Sequence, residues 1–157
     1  MIPPKLGDAW LPKILITIGK ETHHAILDLG SCVSALSKEF CELLEPTNIE
    51  KCTIELALAD HSTKQALGIV KDVMVELHMT FVPVDFVIMD MGRNTSSPII
   101  LGRPFLRTSG AVIDSKRRML NSNSLTRNLW NIFLGRKKYV GMIYLIPLES
   151  FKISTRA

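Results

Sequence analysis

Hydrophobic and polar residues alternate in short stretches through most of the first 114 positions of the chain. An alternation with a period of two predicts β-strands that bury one face. Turn-forming residues separate these stretches about every ten positions, a spacing typical of a small barrel or sandwich. The predicted strands span residues 13–19, 23–27, 53–59, 68–77, 81–89, 98–102 and 111–113. In the fourth of them, the expected inward positions are Ile69, Val73, Val75 and Leu77.

Helical periodicity is confined to two short places. Residues 35–44 carry apolar side chains at helical spacing, with Ser34 or Ser37 as a possible N-cap and Pro46 beyond the end. A second helical turn is predicted at 104–108, where proline stands at an early helical position. The pattern therefore predicts an all-β fold with little helix.

Composition limits the kinds of protein that the chain can be. The chain has 157 residues, 46% hydrophobic and 22% charged, as expected for one globular domain with a tail. No apolar run reaches the roughly 20 residues that span a bilayer, and the N-terminus lacks a signal peptide, so we expect an intracellular protein (cytoplasmic or nuclear) without a membrane partner. The three cysteines do not have metal-ligand spacing and are expected to be free thiols.

Charge divides the chain into two parts. Residues 1–114 carry a net charge of −4, and residues 115–157 carry +8. We therefore predict a lead-in segment at 1–12, a folded domain at 13–115, and an irregular basic extension at 116–157 that is disordered or loosely packed. If any part of the chain binds nucleic acid, we expect it to be this basic extension. A flexible extension without such binding is the simpler interpretation, because no motif of stacking aromatic residues accompanies the positive charge.

The candidate chemistry begins at Asp28-Leu29-Gly30, which directly follows an apolar predicted strand. Two aspartates a few Å apart can share a proton and activate water against a peptide bond. Alone, an Asp-x-Gly sequence is more often a turn. The apolar strand that ends in Gly102, with a helical turn after it, is the kind of element that packs behind such a loop, and a polar hairpin tip lies between the two.

These stretches together resemble the protease domain of plant gypsy-type LTR retrotransposon polyproteins, a retropepsin-like aspartic protease. The similarity covers residues 3–114 in the family's order. The matching segments are 3–6, 16–19, 28–31, 56–60, 68–73, 83–87, 98–106 and 111–114.

The resemblance implies a homodimeric, closed, retropepsin-like (acid protease) β-barrel with one short helix after the Ile-Leu-Gly strand. It would cut a peptide or polyprotein substrate and need neither metal nor cofactor. The implied site residues are catalytic Asp28; Leu29, Gly30 and Ser31 in the active-site loop; Ala59, Asp60, His61 and Ser62 in a substrate-binding flap; and Ile99, Ile100, Leu101 and Gly102 in a supporting strand.

One departure leaves two functions open. Retropepsins commonly carry Thr or Ser after the aspartate, and that hydroxyl bonds across the dimer, whereas Leu29 has none. The chain is therefore either an active endopeptidase that processes a polyprotein or a catalytically inactive dimerisation or binding module from a decayed retroelement. Nearby, His23 and His24 are expected on the surface of a hairpin, and Cys32 is expected to be a small buried thiol rather than a nucleophile.

Overall fold

The computed structural model describes residues 2–5, 7, 11–58, 60–78, 80–92, 97–122 and 131–133, the side chains of 122 and 131–133 excepted. Twelve strands and two short helices follow one another in this part of the chain. They are β1 (Lys13–Ile18), β2 (Glu21–Leu27), β3 (Ser34–Ser37), α1 (Lys38–Leu44), β4 (Ile49–Glu50), β5 (Glu55–Ala57), β6 (Thr63–Gln65), β7 (Gly68–Leu77), β8 (Thr80–Met89), β9 (Ile99–Leu101), α2 (Arg103–Thr108), β10 (Ala111–Asp114), β11 (Met119–Ser122) and β12 (Asn131–Phe133).

Six of these strands close into a barrel. They are hydrogen-bonded in the order β1-β2-β9-β3-β8-β7, and β7 pairs back onto β1 through Thr17↔Glu76 and Ile18↔Val75. The short strand β4 is attached to β7 outside this ring. The predicted closed all-β barrel is therefore confirmed. Closure leaves these six strands without the open edges that a flat sheet would expose.

Alternating side chains fill the barrel. Ile14, Ile16 and Ile18 of β1 point inward, while Leu15 between them is half exposed. The larger members of the core are Phe86 and Phe105, Leu36, Leu77, Ile99, Leu101 and Leu120. Leu120 belongs to β11, beyond the boundary predicted at residue 115, and is fully buried in this core.

The inward positions predicted for β7 are only partly correct. Val75 and Leu77 are buried, but Val70 is buried in place of Ile69. A bulge lies between Val70, which pairs with Phe86, and Val73, which pairs with Val84. The bulge inserts one extra residue and reverses the inside-outside parity of the strand, an effect that a strict alternation cannot anticipate.

The first predicted helix begins later than the sequence suggests. Residues 35–37 belong to the buried strand β3, and α1 starts only at Lys38. Because β3 lies between β8 and β9, all four of its residues are buried, the two serines included, and it does not show the alternation of a half-buried strand. Of the two proposed caps, Ser37 is the correct one: its Oγ accepts a hydrogen bond from the Phe40 N–H at 3.1 Å.

The second predicted helix is confirmed as α2, which follows β9 at once and carries Pro104 in its first turn. Its buried side chains, Phe105 and Leu106, close one side of the barrel core. No helix in the described part of the chain is long and apolar enough to cross a membrane.

Candidate active site

Asp28 lies in the loop that joins β2 to β3. Its backbone N–H donates to the Leu101 carbonyl at 3.0 Å, which extends the pairing of β2 with β9 as far as the aspartate. The Gly30 N–H donates to Asp28 Oδ1 at 2.8 Å. The carboxylate is half-buried, and this hydrogen bond orients one of its oxygens.

The strand β9 holds this loop from behind. It lies between β2 and β3, which are consecutive in the sequence, and pairs in parallel with the first and antiparallel with the second. Because β9 separates them, the connection from β2 to β3 must cross over its end. The predicted supporting residues Ile99, Ile100 and Leu101 form this strand, and Ile99 and Leu101 are fully buried.

Gly102 is at the crossing itself. A Cβ atom at this position would lie 2.1 Å from the Val33 carbonyl oxygen and 3.0 Å from that of Ser31. Immediately after it, the Arg103 N–H donates to the Ser31 carbonyl at 3.0 Å. Two chain segments about seventy residues apart in sequence thus touch backbone to backbone, which only glycine permits here. This contact brings the predicted residues Ser31 and Gly102 together.

Two buried serines complete the support, a role that the sequence did not predict: Ser34 was considered only as a possible helix cap, and Ser97 was not considered. Ser34 Oγ accepts a hydrogen bond from the Gly102 N–H at 3.0 Å. Ser97 Oγ donates to the His24 carbonyl and lies 3.3 Å from the Ile99 N–H, which donates to it. Both hydroxyls satisfy backbone groups that would otherwise be unpaired in an apolar interior.

The predicted flap is a two-stranded hairpin made of β5 and β6. β5 is shorter than the strand predicted at 53–59, and β6 lies where no strand was predicted. At its tip, the Leu58 N–H donates to the Ser62 carbonyl at 2.8 Å, and His61 adopts a left-handed conformation with φ of 64°. Ala59 lies outside the described residues. Asp60, His61 and Ser62 are exposed at this tip.

Asp60 organises the tip. Its Oδ1 accepts hydrogen bonds from the Ser62 hydroxyl at 2.6 Å and from the Ser62 N–H at 3.0 Å. The hydroxyl first, and then the N–H, stabilises the charged carboxylate and lowers the pKa of Asp60 below its ordinary value. The tip is therefore held by an ionised aspartate.

A second apolar cluster, separate from the barrel core, connects the hairpin to the loop region. Its buried members are Ala35, Ala66, Val87 and Met89. Half-buried apolar side chains pack against them from the hairpin and the segment before it (Cys52, Ile54, Leu56 and Leu58), from the connection after Asp28 (Val33), from β9 (Ile100) and from the residues after β8 (Met91). The underside of the flap and the strand behind the aspartate thus share one apolar surface.

The other titratable candidates fall outside this arrangement. Cys32 is exposed, so the prediction of a buried thiol is wrong: the loop turns its side chain outward after Ser31. His24 is exposed, and the ring of the half-buried His23 packs edge-on against Phe40 at 4.8 Å. The described residues include no group of three or more His, Cys, Asp or Glu that could hold a metal ion.

A cavity of about 410 Å³ lies far from Asp28. It opens between the Gly19 turn, Pro46 just after α1 and the bulge at Asp72. Gly19 precedes β2, whereas Asp28 follows it, so the cavity and the carboxylate are at opposite ends of that strand. We therefore assign the chemistry to the loop rather than to this cavity.

Comparison with known proteins identifies the fold. The sequence matches no protein-family model and no curated protein. The crystal structure of the retroviral protease-like domain of Ddi1 from Leishmania major is similar with a TM-score of 0.63 and 16% identity, over 85% of this chain and 100% of that one. The EIAV protease in complex with the inhibitor HBY-793 is similar with a TM-score of 0.57 and 15% identity, over 71% of this chain and 99% of that one. The chain therefore has the retropepsin-like fold, as predicted.

Proposed function

We propose that the protein is an aspartic endopeptidase that hydrolyses peptide bonds through a pair of Asp28 carboxylates, one from each copy in a homodimer. The observation that carries the proposal is the position of Asp28: a half-buried carboxylate in a loop held on both sides by β9. A loop fixed at this many points presents its side chain in one geometry, as catalysis requires. The retropepsin-like fold supports the same assignment.

The reaction follows from the chemistry of two adjacent carboxyl groups. The pair holds one proton, because two negative charges a few Å apart repel each other strongly. The ionised member takes a proton from water as the oxygen attacks the carbonyl carbon, and the protonated member gives its proton to the carbonyl oxygen. The tetrahedral intermediate then breaks its C–N bond as the nitrogen takes a proton from the carboxyl that received it from water, while the other carboxylate takes a proton back from a hydroxyl group of the intermediate. This leaves an acid, an amine and a dyad that again holds one proton.

The flap supplies the other half of the proposed site. The hairpin tip at Asp60–Ser62 covers an extended substrate, and the shared apolar surface under it contacts the substrate's side chains. We assign a polypeptide substrate on this basis, and the narrower role of processing a retrotransposon polyprotein rests on the sequence resemblance alone. The free cysteines support an intracellular location.

The alternative function is an inactive dimerisation or binding module with the same fold. The observation in its favour is Leu29, which is 63% exposed beside the carboxylate and has no hydroxyl to bond across a dimer. This alternative retains the fold and loses the chemistry, so only an activity measurement separates the two.

The test is cleavage of a mixed peptide library at acidic pH by the purified full chain, with and without pepstatin. Asp28→Asn keeps the size of the side chain and removes its ionisation, and we expect it to lower kcat/KM at least about 100-fold. Asp72→Asn is the matched control: Asp72 is exposed on the β7 bulge, and its left-handed φ of 54° suits asparagine. A verified dimer that cuts no peptide, or an Asp28→Asn variant with full activity, would contradict the proposal.

A further inference from the structure

The segment that precedes β1 runs alongside the end of β2. In the β1–β2 ladder Lys13 pairs with Ile26, and the Leu27 N–H donates to the Pro12 carbonyl at 2.9 Å, which extends the ladder by one pair. Continued by one more residue, this register places Leu11 opposite Asp28. Residues directly opposite each other in an antiparallel pair face the same side, with Cβ atoms about 5 Å apart.

The same carboxylate has a second apolar neighbour along the chain. Leu29 is 63% exposed, and Leu11 is 49% exposed. Asp28 is thus flanked by two large apolar side chains on the surface of a single copy. One exposed leucine is ordinary, but two beside the proposed catalytic group form an exposed apolar patch of the kind that marks a site of interaction.

We propose that Leu11 and Leu29 form an apolar seam on which a second copy of the chain docks, and that this contact takes the place of a hydroxyl-mediated link between the two loops. The proposal rests on the proposed dyad. Two carboxylates that share a proton must lie within hydrogen-bonding distance, so the two-fold axis passes between the two Asp28 side chains. Leu29 is adjacent to Asp28 in the chain and Leu11 is opposite it, so both lie close to that axis and are covered by the other copy.

An apolar seam has a distinct physical signature. Attraction between apolar groups is largely independent of ionic strength, whereas attraction between exposed charges is screened by salt. It also weakens on cooling, because apolar hydration carries a large heat-capacity change. The dimer dissociation constant of this protein should therefore remain nearly constant as salt is raised and should increase at low temperature.

The experiment measures dimerisation of the full chain by sedimentation, with folding checked by thermal unfolding. We expect Leu29→Asp, and independently Leu11→Asp, to raise the dimer dissociation constant at least tenfold. Leu43→Asp is the matched control, since Leu43 is 62% exposed on α1, away from the loop. Mixing Leu29→Asp with Leu29→Lys chains should restore dimers, because each charge then meets its opposite at the axis.

The outcomes separate the seam from the proposed activity. The seam is overturned by a wild-type chain that stays monomeric, by a Leu29→Asp chain that dimerises as well as wild type, or by a charge-swapped mixture that does not dimerise. A wild-type dimer that requires Leu29 yet cuts no peptide leaves the seam standing and rejects the protease. A dimer that cuts peptides and still forms when Leu29 is replaced by Asp supports the protease and rejects the seam.

Discussion

Ser34 and Gly102, sixty-eight positions apart in the sequence, are joined by a buried hydrogen bond of 3.0 Å from the glycine N–H to the serine Oγ. The first follows the Asp28 loop, and the second ends the strand behind it. This bond, together with the bond from Arg103 N–H to the Ser31 carbonyl, ties the two segments into one unit. The position of Asp28 consequently depends on buried residues beyond its own loop.

Replacement of Gly102 by alanine should disrupt the crossing. The added Cβ would stand 2.1 Å from the Val33 carbonyl oxygen, and backbone on both sides leaves no flexible group to move away. We expect a loss of about 3 kcal/mol or more in the free energy of unfolding, measured by denaturant titration. Gly7→Ala is the control, since nothing lies within 4 Å of its added atom. Equal stability of the two variants would rule out the tight crossing.

Removal of the Ser34 hydroxyl should affect both stability and activity. Ser34→Ala leaves the buried Gly102 N–H without its acceptor, at a cost of roughly 1–3 kcal/mol. Ser37→Ala, on the same strand, removes only the cap of α1 and should cost about 1 kcal/mol. Unfolding titrations and peptide cleavage, carried out on both variants, check this. If kcat falls with Ser37→Ala but not with Ser34→Ala, the hydrogen bond between Gly102 and Ser34 does not position the Asp28 loop.

Much of the fold could be predicted because it depends on local patterns. Alternation in β1 and the apolar run of β9 are visible in any window of the sequence, and Asp28 becomes notable once the two are paired. The bulge before Val73 could not be predicted, since it reverses parity without any change in composition. The role of Ser34 could not be predicted either, because the N–H group that its hydroxyl binds belongs to Gly102, which is distant in the sequence.

The tip of the flap should respond to pH through Asp60. The lowered pKa of this carboxyl means that its bonds to Ser62 stabilise the tip fully above about pH 4, and that the stabilisation is lost as the pH falls through the lowered value. In an NMR titration, Ser62→Ala should move the Asp60 midpoint upward toward its ordinary value, whereas Thr63→Ala, one residue further along the hairpin, should leave it unchanged. An identical midpoint in wild type and Ser62→Ala would show that the serine does not hold the tip.

The barrel should require residues beyond the charge boundary at 115. Leu120 on β11 is fully buried in the main core, although its segment belongs to the basic part of the chain. Leu120→Ala removes buried methyl groups and leaves a cavity, so we expect a loss of about 2–5 kcal/mol in the free energy of unfolding. Val112→Ala, on the neighbouring strand β10 where Val112 is 53% exposed, should change it by less than about 0.5 kcal/mol. If the two variants unfold alike, β11 is not part of the cooperative barrel, and the folded domain ends near residue 115.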